Sequence, residues 1–176
     1  MLSLDSSNRV VYASSFSKTV CPGIRVGYLA GPEETIGALT KIATNTYISP
    51  SMVSQSIVGE FCRSGAIDRS IETVKAALHE RRDALAEGLE SDLPEASFTP
   101  PEGGYFLWVD LPDDSQVDSL EVAAKEHGVV FVKGTDFFLH GGESSLRLAY
   151  SGVTPEQVRQ GTARLAEAFH SLPAAA

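Results

Sequence analysis

Cysteine and histidine are scarce in this chain. Cys21 and Cys62 form neither a C-x-x-C pair nor a metal-ligand spacing, and two cysteines do not make a disulfide framework, so both read as free thiols in a reducing compartment. His79, His127, His140 and His170 are scattered without ligand spacing, which gives no ground for a metal. Positive charge is in deficit too, with 14 lysines and arginines against 23 acidic residues and a net charge of -9. No basic run carries interleaved aromatics, and this balance argues against nucleic acid and anionic membrane as partners. No apolar stretch approaches the roughly 20 residues that cross a bilayer. The first residues also lack the charged start and apolar core of a secretory leader, so the expected site is cytoplasmic.

What is present is an ordinary globular composition, 43% hydrophobic and 21% charged over 176 residues, enough to bury a core. Its most informative stretch is Ser15-Phe16-Ser17-Lys18, followed by Pro22-Gly23-Ile24-Arg25-Val26-Gly27-Tyr28. A lone lysine in a polar loop is usually solvated, and S-x-S-K alone is a weak signal. Here the flanks raise it. Arg9 to Ala13 and Arg25 to Ala30 read as short buried strands, and Pro22-Gly23 between them reads as a turn in which the glycine takes a positive φ. A lysine that carries an aldehyde cofactor needs a phosphate cradle beside it, and hydroxyls with a planar guanidinium supply one. Ser15, Ser17, Lys18 and Arg25 are those residue types.

Helical and strand patterns alternate along the rest, without repeats. Helices are expected over Glu33 to Thr44, Pro50 to Ser64 and Ala66 to about Glu90, the last with Ile67, Ile71, Val74, Leu78, Leu85 and Leu89 at helical intervals. Its Glu80-Arg81-Arg82-Asp83 cluster reads as a solvated face. Tyr105 to Asp110, Val129 to Val132 and Leu146 to Tyr150 read as three strands, and Ser115 to Glu126 and Pro155 to Leu172 as helices. Thr154 or Ser151 is placed to cap the last helix, and Ala174 to Ala176 reads as a frayed tail. Arg147 sits between Leu146 and Leu148, in a largely buried strand where an unpaired charge is costly. It reads as a cation that wants an anion, against the plainer alternative of an edge-strand surface pair.

Taken together, the ordered motifs resemble the class I and II aminotransferases, the fold type I enzymes that use pyridoxal phosphate. The likeness rests on Ser15 to Tyr28, on Asn45 to Gln55, on Arg81-Arg82-Asp83-Ala84-Leu85, on Pro101 to Trp108, on Gly128-Val129, on Gly134 to Phe138 and on Leu146-Arg147-Leu148. It is most similar to the branch of 2-aminoadipate and other broad-specificity aminotransferases. The resemblance implies an α/β fold: the C-terminal part of a fold type I transferase, with residues 1–65 ending the large cofactor domain and residues 66–176 forming a long connecting helix and the small α+β domain.

It implies further that Lys18 carries the cofactor and acts as catalytic base, that Ser15, Ser17 and Arg25 hold the cofactor phosphate, and that Arg147 binds the substrate α-carboxylate. Amino acids and 2-oxo acids are the implied substrates, and a homodimer is implied for the full-length protein. The family's aspartate on the pyridine nitrogen, its stacking ring, and its asparagine and tyrosine on the phenolic oxygen have no assignable counterparts here, so this chain alone is expected to be inactive. Two other classes stay open: the cofactor-sensing domain of a winged-helix transcriptional regulator, and a truncated non-catalytic remnant. Lyase or decarboxylase chemistry on the same scaffold stays open as well. The chain departs from the family pattern at Lys133-Gly134, where Pro-Gly is usual, at Ser144-Ser145, where asparagine is common, and at Tyr105. Lys133 is read as a solvated loop residue rather than as the partner of an acid.

Overall fold

The computed structural model describes residues 2–112 and 116–173. Ser115 and the 174–176 tail lie outside the described residues. The chain divides into two compact units, Met1–Val74 and Lys75–Ala176.

In the first unit, β1 (Tyr12–Ser15) and β2 (Gly27–Ala30) pair antiparallel, with Tyr12 opposite Ala30 and Ser15 opposite Gly27. The sequence led us to expect buried strands, yet Tyr12 is 44% and Leu29 48% exposed. A two-stranded ribbon has two faces and few side chains to cover them, so Tyr12, Phe16 and Tyr28 pack on one another instead, at centroid distances of 6.0 and 5.3 Å. Helix α1 (Glu33–Tyr47) starts after Pro32 with Glu33 and Glu34 at the positive end of its dipole. Helix α2 (Met52–Arg63) is capped by the Ser51 side chain, which accepts from the Ser54 N–H at 3.3 Å, and Gly65 at φ 68° ends the run. Ile24 and Val58 are the buried hydrophobics among the described residues of this unit.

Helix α3 (Ala66–Asp92) contains the division between the units, and its later turns supply Ala84, Leu85 and Leu89 to the core of the second. That core underlies an antiparallel sheet in the order β3 (Ser97–Phe98), β4 (Phe106–Asp110), β6 (Ser145–Ala149), β5 (Val132–Lys133). The period of two decides its faces. Leu107, Val109, Leu146 and Leu148 point inward to meet Leu120 of α4 (Val117–Glu126) and Leu165 of α5 (Pro155–His170). Each such fully buried leucine contributes about 1.5–3 kcal/mol. Phe106, Trp108 and Arg147 are left on the opposite face. Thr154, not Ser151, caps α5: its hydroxyl accepts from the Gln157 N–H at 3.2 Å, while the Gln157 side chain accepts from the Thr154 N–H at 2.9 Å. Among the described residues, no helix is long and apolar enough to cross a membrane.

Further features differ from expectation, among them the strand expected at Val129 to Val132, which is observed at Val132–Lys133. Strand β3 has two residues, too few to show a period in sequence. The Glu80-Arg81-Arg82-Asp83 segment is not simply a solvated face. The Arg82 side chain is only 22% exposed, donates from Nη1 to the Pro101 carbonyl at 3.1 Å, and bonds Asp83 through Nε and Nη2 at 2.9 and 2.5 Å. It thereby ties α3 to the loop that leads into β4. Lys133 likewise is no solvated loop residue. Its Nζ meets Asp118 at 2.5 Å and Glu121 at 3.5 Å, because a long flexible stem can reach across from β5 to α4.

The hydrogen bond to Asp118 raises the Lys133 ammonium above the ordinary lysine range; burial opposes it, and the charges of Asp118 and Glu121 add to the rise. A raised folded-state value means that the bridge contributes fully below the unfolded lysine range and fades as pH climbs through the folded one. The stability difference between wild type and Lys133→Met, measured by urea unfolding, is therefore expected at pH 7 and expected to shrink in alkali above the lysine range; an unchanged difference there contradicts the bridge.

Helix α5 approaches α3 closely at Gly88, where a Cβ would lie 2.4 Å from Thr162 Oγ1 and 2.9 Å from its Cγ2. Thr162 cannot retreat freely, since it is buried and donates to Asp92 Oδ2 at 2.8 Å. Alanine at 88 gains about 1 kcal/mol of helix propensity but meets overpacking of about 1–3 kcal/mol. Gly88→Ala should thus lower the melting temperature in wild type and raise it in a Thr162→Ala background; a stabilising effect in both would show that the contact is not tight.

Candidate active site

The loop that joins β1 to β2 is shaped by three local devices. The Phe16 N–H donates to the Val26 carbonyl at 2.9 Å and prolongs the ladder by one step. The Val20 N–H donates to the Phe16 carbonyl at 2.8 Å and closes a single turn containing Ser17 and Lys18. Pro22–Ile24 then forms a 3-10 turn, and Ile24 is buried and anchors the loop from below. The sequence placed the positive φ at Gly23. The structure places it at Arg25, with φ 51° and ψ 37°, because the 3-10 turn keeps Gly23 in the right-handed region and defers the reversal to its end. A non-glycine residue there is strained by about 1–2 kcal/mol. That reversal carries Arg25 Nη1 back to Ser17 Oγ, 3.4 Å away.

Ser17 and Arg25 are therefore brought together across the loop. Ser15 ends β1 opposite Gly27, and Lys18 is on the turn between them, exposed as Arg25 is. The Arg25–Ser17 contact is long for a hydrogen bond, so most of the guanidinium's five donors remain for another acceptor. This donor set fits pyridoxal phosphate: hydroxyls of Ser15 and Ser17 and the Arg25 fork suit a phosphate dianion, and the Lys18 amine suits an aldehyde.

Arg147 belongs to the second unit and is not on an edge. Strand β6 lies between β4 and β5, and Arg147 pairs with Trp108 on one side and Val132 on the other. Its guanidinium carbon lies 4.0 Å from the ring centroid of Phe106 and 4.6 Å from that of Phe137. Its Nε is buried without a hydrogen-bond partner. Among the described residues no carboxylate pairs with Arg147. An orphaned donor on a half-buried cation is the arrangement that a carboxylate ligand completes.

Phe106, Trp108 and Phe137 stood in the sequence only as parts of longer motifs, without roles. The alternation of β4 carried part of the signal, since Phe106, Trp108 and Asp110 share one face and Leu107 and Val109 the other. No periodicity could have brought Phe137 over. It arrives because the 134–142 loop closes on itself: a Cβ on Gly134 would lie 2.6 Å from the Gly142 carbonyl, and Gly142 sits at φ 89°. On the approach to β4, burial raises the Tyr150 phenol above its ordinary range while the Arg82 charge opposes this, and its O–H donates to the Gly104 carbonyl at 3.0 Å, fixing the turn.

A family model described as Aminotransferase class I and II matches residues 2–165. The chain is 34% identical to 2-aminoadipate transaminase of Thermus thermophilus, over 93% of this chain and 41% of that protein. It is 30% identical to the HTH-type transcriptional regulator TauR of Rhodobacter capsulatus, over 95% of this chain and 35% of the regulator. Among solved structures, α-aminoadipate aminotransferase from Thermus thermophilus, complexed with N-(5'-phosphopyridoxyl)-L-leucine, matches with a TM-score of 0.84 at 32% identity, over 92% of this chain and 42% of that one. The chain thus spans about two-fifths of the length of the first of these relatives.

Proposed function

The chain belongs to the aminotransferase class I and II family, and from that membership we propose that it carries the cofactor lysine, the phosphate cradle and the substrate-carboxylate arginine of a pyridoxal-phosphate-dependent transaminase. The observation that carries the reading is the Lys18 loop, where a strained Arg25 is returned to Ser17 beside the only lysine of the first unit's hairpin.

When bound, pyridoxal phosphate supplies an aldehyde that takes up an amino group and a ring that draws off electrons from the amino acid's Cα. The chain's own residues do the rest. Arg25 would donate to the phosphate, and the Ser15 and Ser17 hydroxyls would donate beside it. Lys18 Nζ would tether the cofactor and would supply the base that accepts the amino acid's Cα proton. Arg147 would grip the α-carboxylate with two parallel N–H bonds and so limit the orientations open to the bound amino acid. The amino group passes from one amino acid, leaving a 2-oxo acid, to a second 2-oxo acid. A homodimer of the full-length protein belongs to this reading. Exposed apolar side chains on and beside the first unit's helices, among them Ile42, Tyr47, Met52 and Val53, support an interface there.

A second reading is favoured by the likeness to TauR. In it the same loop binds the cofactor in a transcriptional regulator and no amino group is transferred.

Turnover separates the two. In the full-length protein, with a panel of L-amino acids and 2-oxoglutarate as acceptor, we expect 2-oxo acid formation that falls by about 10²-fold to 10⁴-fold or more in Lys18→Ala. Arg147→Met should raise KM for the amino acid far more than it alters the cofactor's visible absorption band. Transfer that survives in Lys18→Ala refutes the assignment; a cofactor band without transfer for any amino acid tested favours the regulator.

A further inference from the structure

Holding an arginine still usually takes a carboxylate, and a carboxylate partner would occupy the donors that a ligand needs. Arg147 is held differently. A guanidinium donates only within its plane, from five N–H groups, whereas an aromatic ring attracts the cation over its face. Phe106 and Phe137 both receive the guanidinium carbon over their faces, at 4.0 and 4.6 Å, and neither ring can accept a conventional hydrogen bond. Of the in-plane donors Nε is buried and unpartnered, and no hydrogen bond among the described residues occupies the other two nitrogens.

The rings are themselves braced. Trp108 meets Phe137 nearly edge-on, with 5.5 Å between centroids and an interplanar angle of 78°. Its indole N–H donates to Asp110 Oδ1 at 2.9 Å, and the same oxygen accepts from the buried Ser145 hydroxyl at 2.7 Å. Ser145, Asp110, Trp108 and Phe137 thus form a relay that begins on β6, crosses to β4 and returns to Arg147 through the 134–142 loop. Every member lies in the second unit.

We infer that Phe106 and Phe137 are positioning residues: by binding the faces of Arg147 they fix its guanidinium plane while keeping its in-plane donors for a substrate carboxylate. This rests on the reading of Arg147 as the carboxylate site. Phe137 is the more informative of the two, because removing its ring face while keeping an apolar side chain should loosen the plane without adding a polar partner.

Trp108 is the chain's single tryptophan and the cross-strand neighbour of Arg147, so its fluorescence reports on this site. Titration of the 176-residue chain with L-leucine, and with L-leucinamide as the analogue lacking a carboxylate, is expected to give a saturable change for leucine only. Phe137→Leu should weaken leucine binding by about tenfold, Phe106→Leu should weaken it in the same direction, and Phe137→Tyr, which keeps the face, should restore it. Near-ultraviolet circular dichroism and the melting temperature identify any variant that has lost its fold; the Phe106 and Phe137 variants are independent, so one folded variant suffices. Wild-type affinity in a folded Phe137→Leu or Phe106→Leu chain overturns the positioning role. Wild-type affinity in Arg147→Met, or no difference between leucine and leucinamide, overturns the carboxylate reading beneath it.

Discussion

A cation that must be held still while its donors stay free is the constraint on which both polar sites depend. At Arg147 the solution is aromatic, with ring faces above the guanidinium and no acid beside it among the described residues. At Arg25 the solution is conformational, since a left-handed backbone aims the side chain and a long contact to a hydroxyl steadies it. Either arrangement leaves an arginine with unused hydrogen-bonding capacity. Where an arginine serves only structure here, the pattern is the opposite: Arg82 bonds Asp83 and the Pro101 carbonyl and joins two elements.

The sheet of the second unit makes the Arg147 arrangement possible. Four leucine and valine side chains of β4 and β6 enter one core, and the period of two then obliges Phe106, Trp108 and Arg147 onto the other face. A slip of one residue in the pairing of β4 with β6 would send Arg147 into the leucine core. The cost of that slip, an unpaired charge among apolar side chains, is part of what fixes the register. Close approach at Gly88 and the capping box at Thr154 set α5 against the same core.

Long, regular elements were legible in the sequence because their periods are strong. Helix α3 was expected from Ala66 to about Glu90 and runs to Asp92, and β4 and β6 lie within one residue of their expected bounds at each end. Arg147 could be singled out because two leucines flank it. What escaped was what depends on long-range closure. Whether Arg82 and Lys133 are solvated is decided by Pro101, Asp118 and Glu121, whose proximity no local pattern announces. The ring of Phe137 reaches Arg147 only through a loop pinched between Gly134 and Gly142. In the first unit the strands read as buried from their valines and tyrosines, but burial requires a covering layer, and a two-stranded ribbon does not provide one for itself.

The account stands on Lys18 being singled out by its surroundings from the other lysines, Lys41, Lys75, Lys125 and Lys133. The direct measurement is to incubate the chain with pyridoxal phosphate near one equivalent, reduce with borohydride, digest, and locate the modified lysines by peptide mass mapping. The account predicts modification concentrated on Lys18 and sharply diminished when Arg25 is changed to methionine. Modification spread evenly over the five lysines, or unaffected by the Arg25 change, would contradict it.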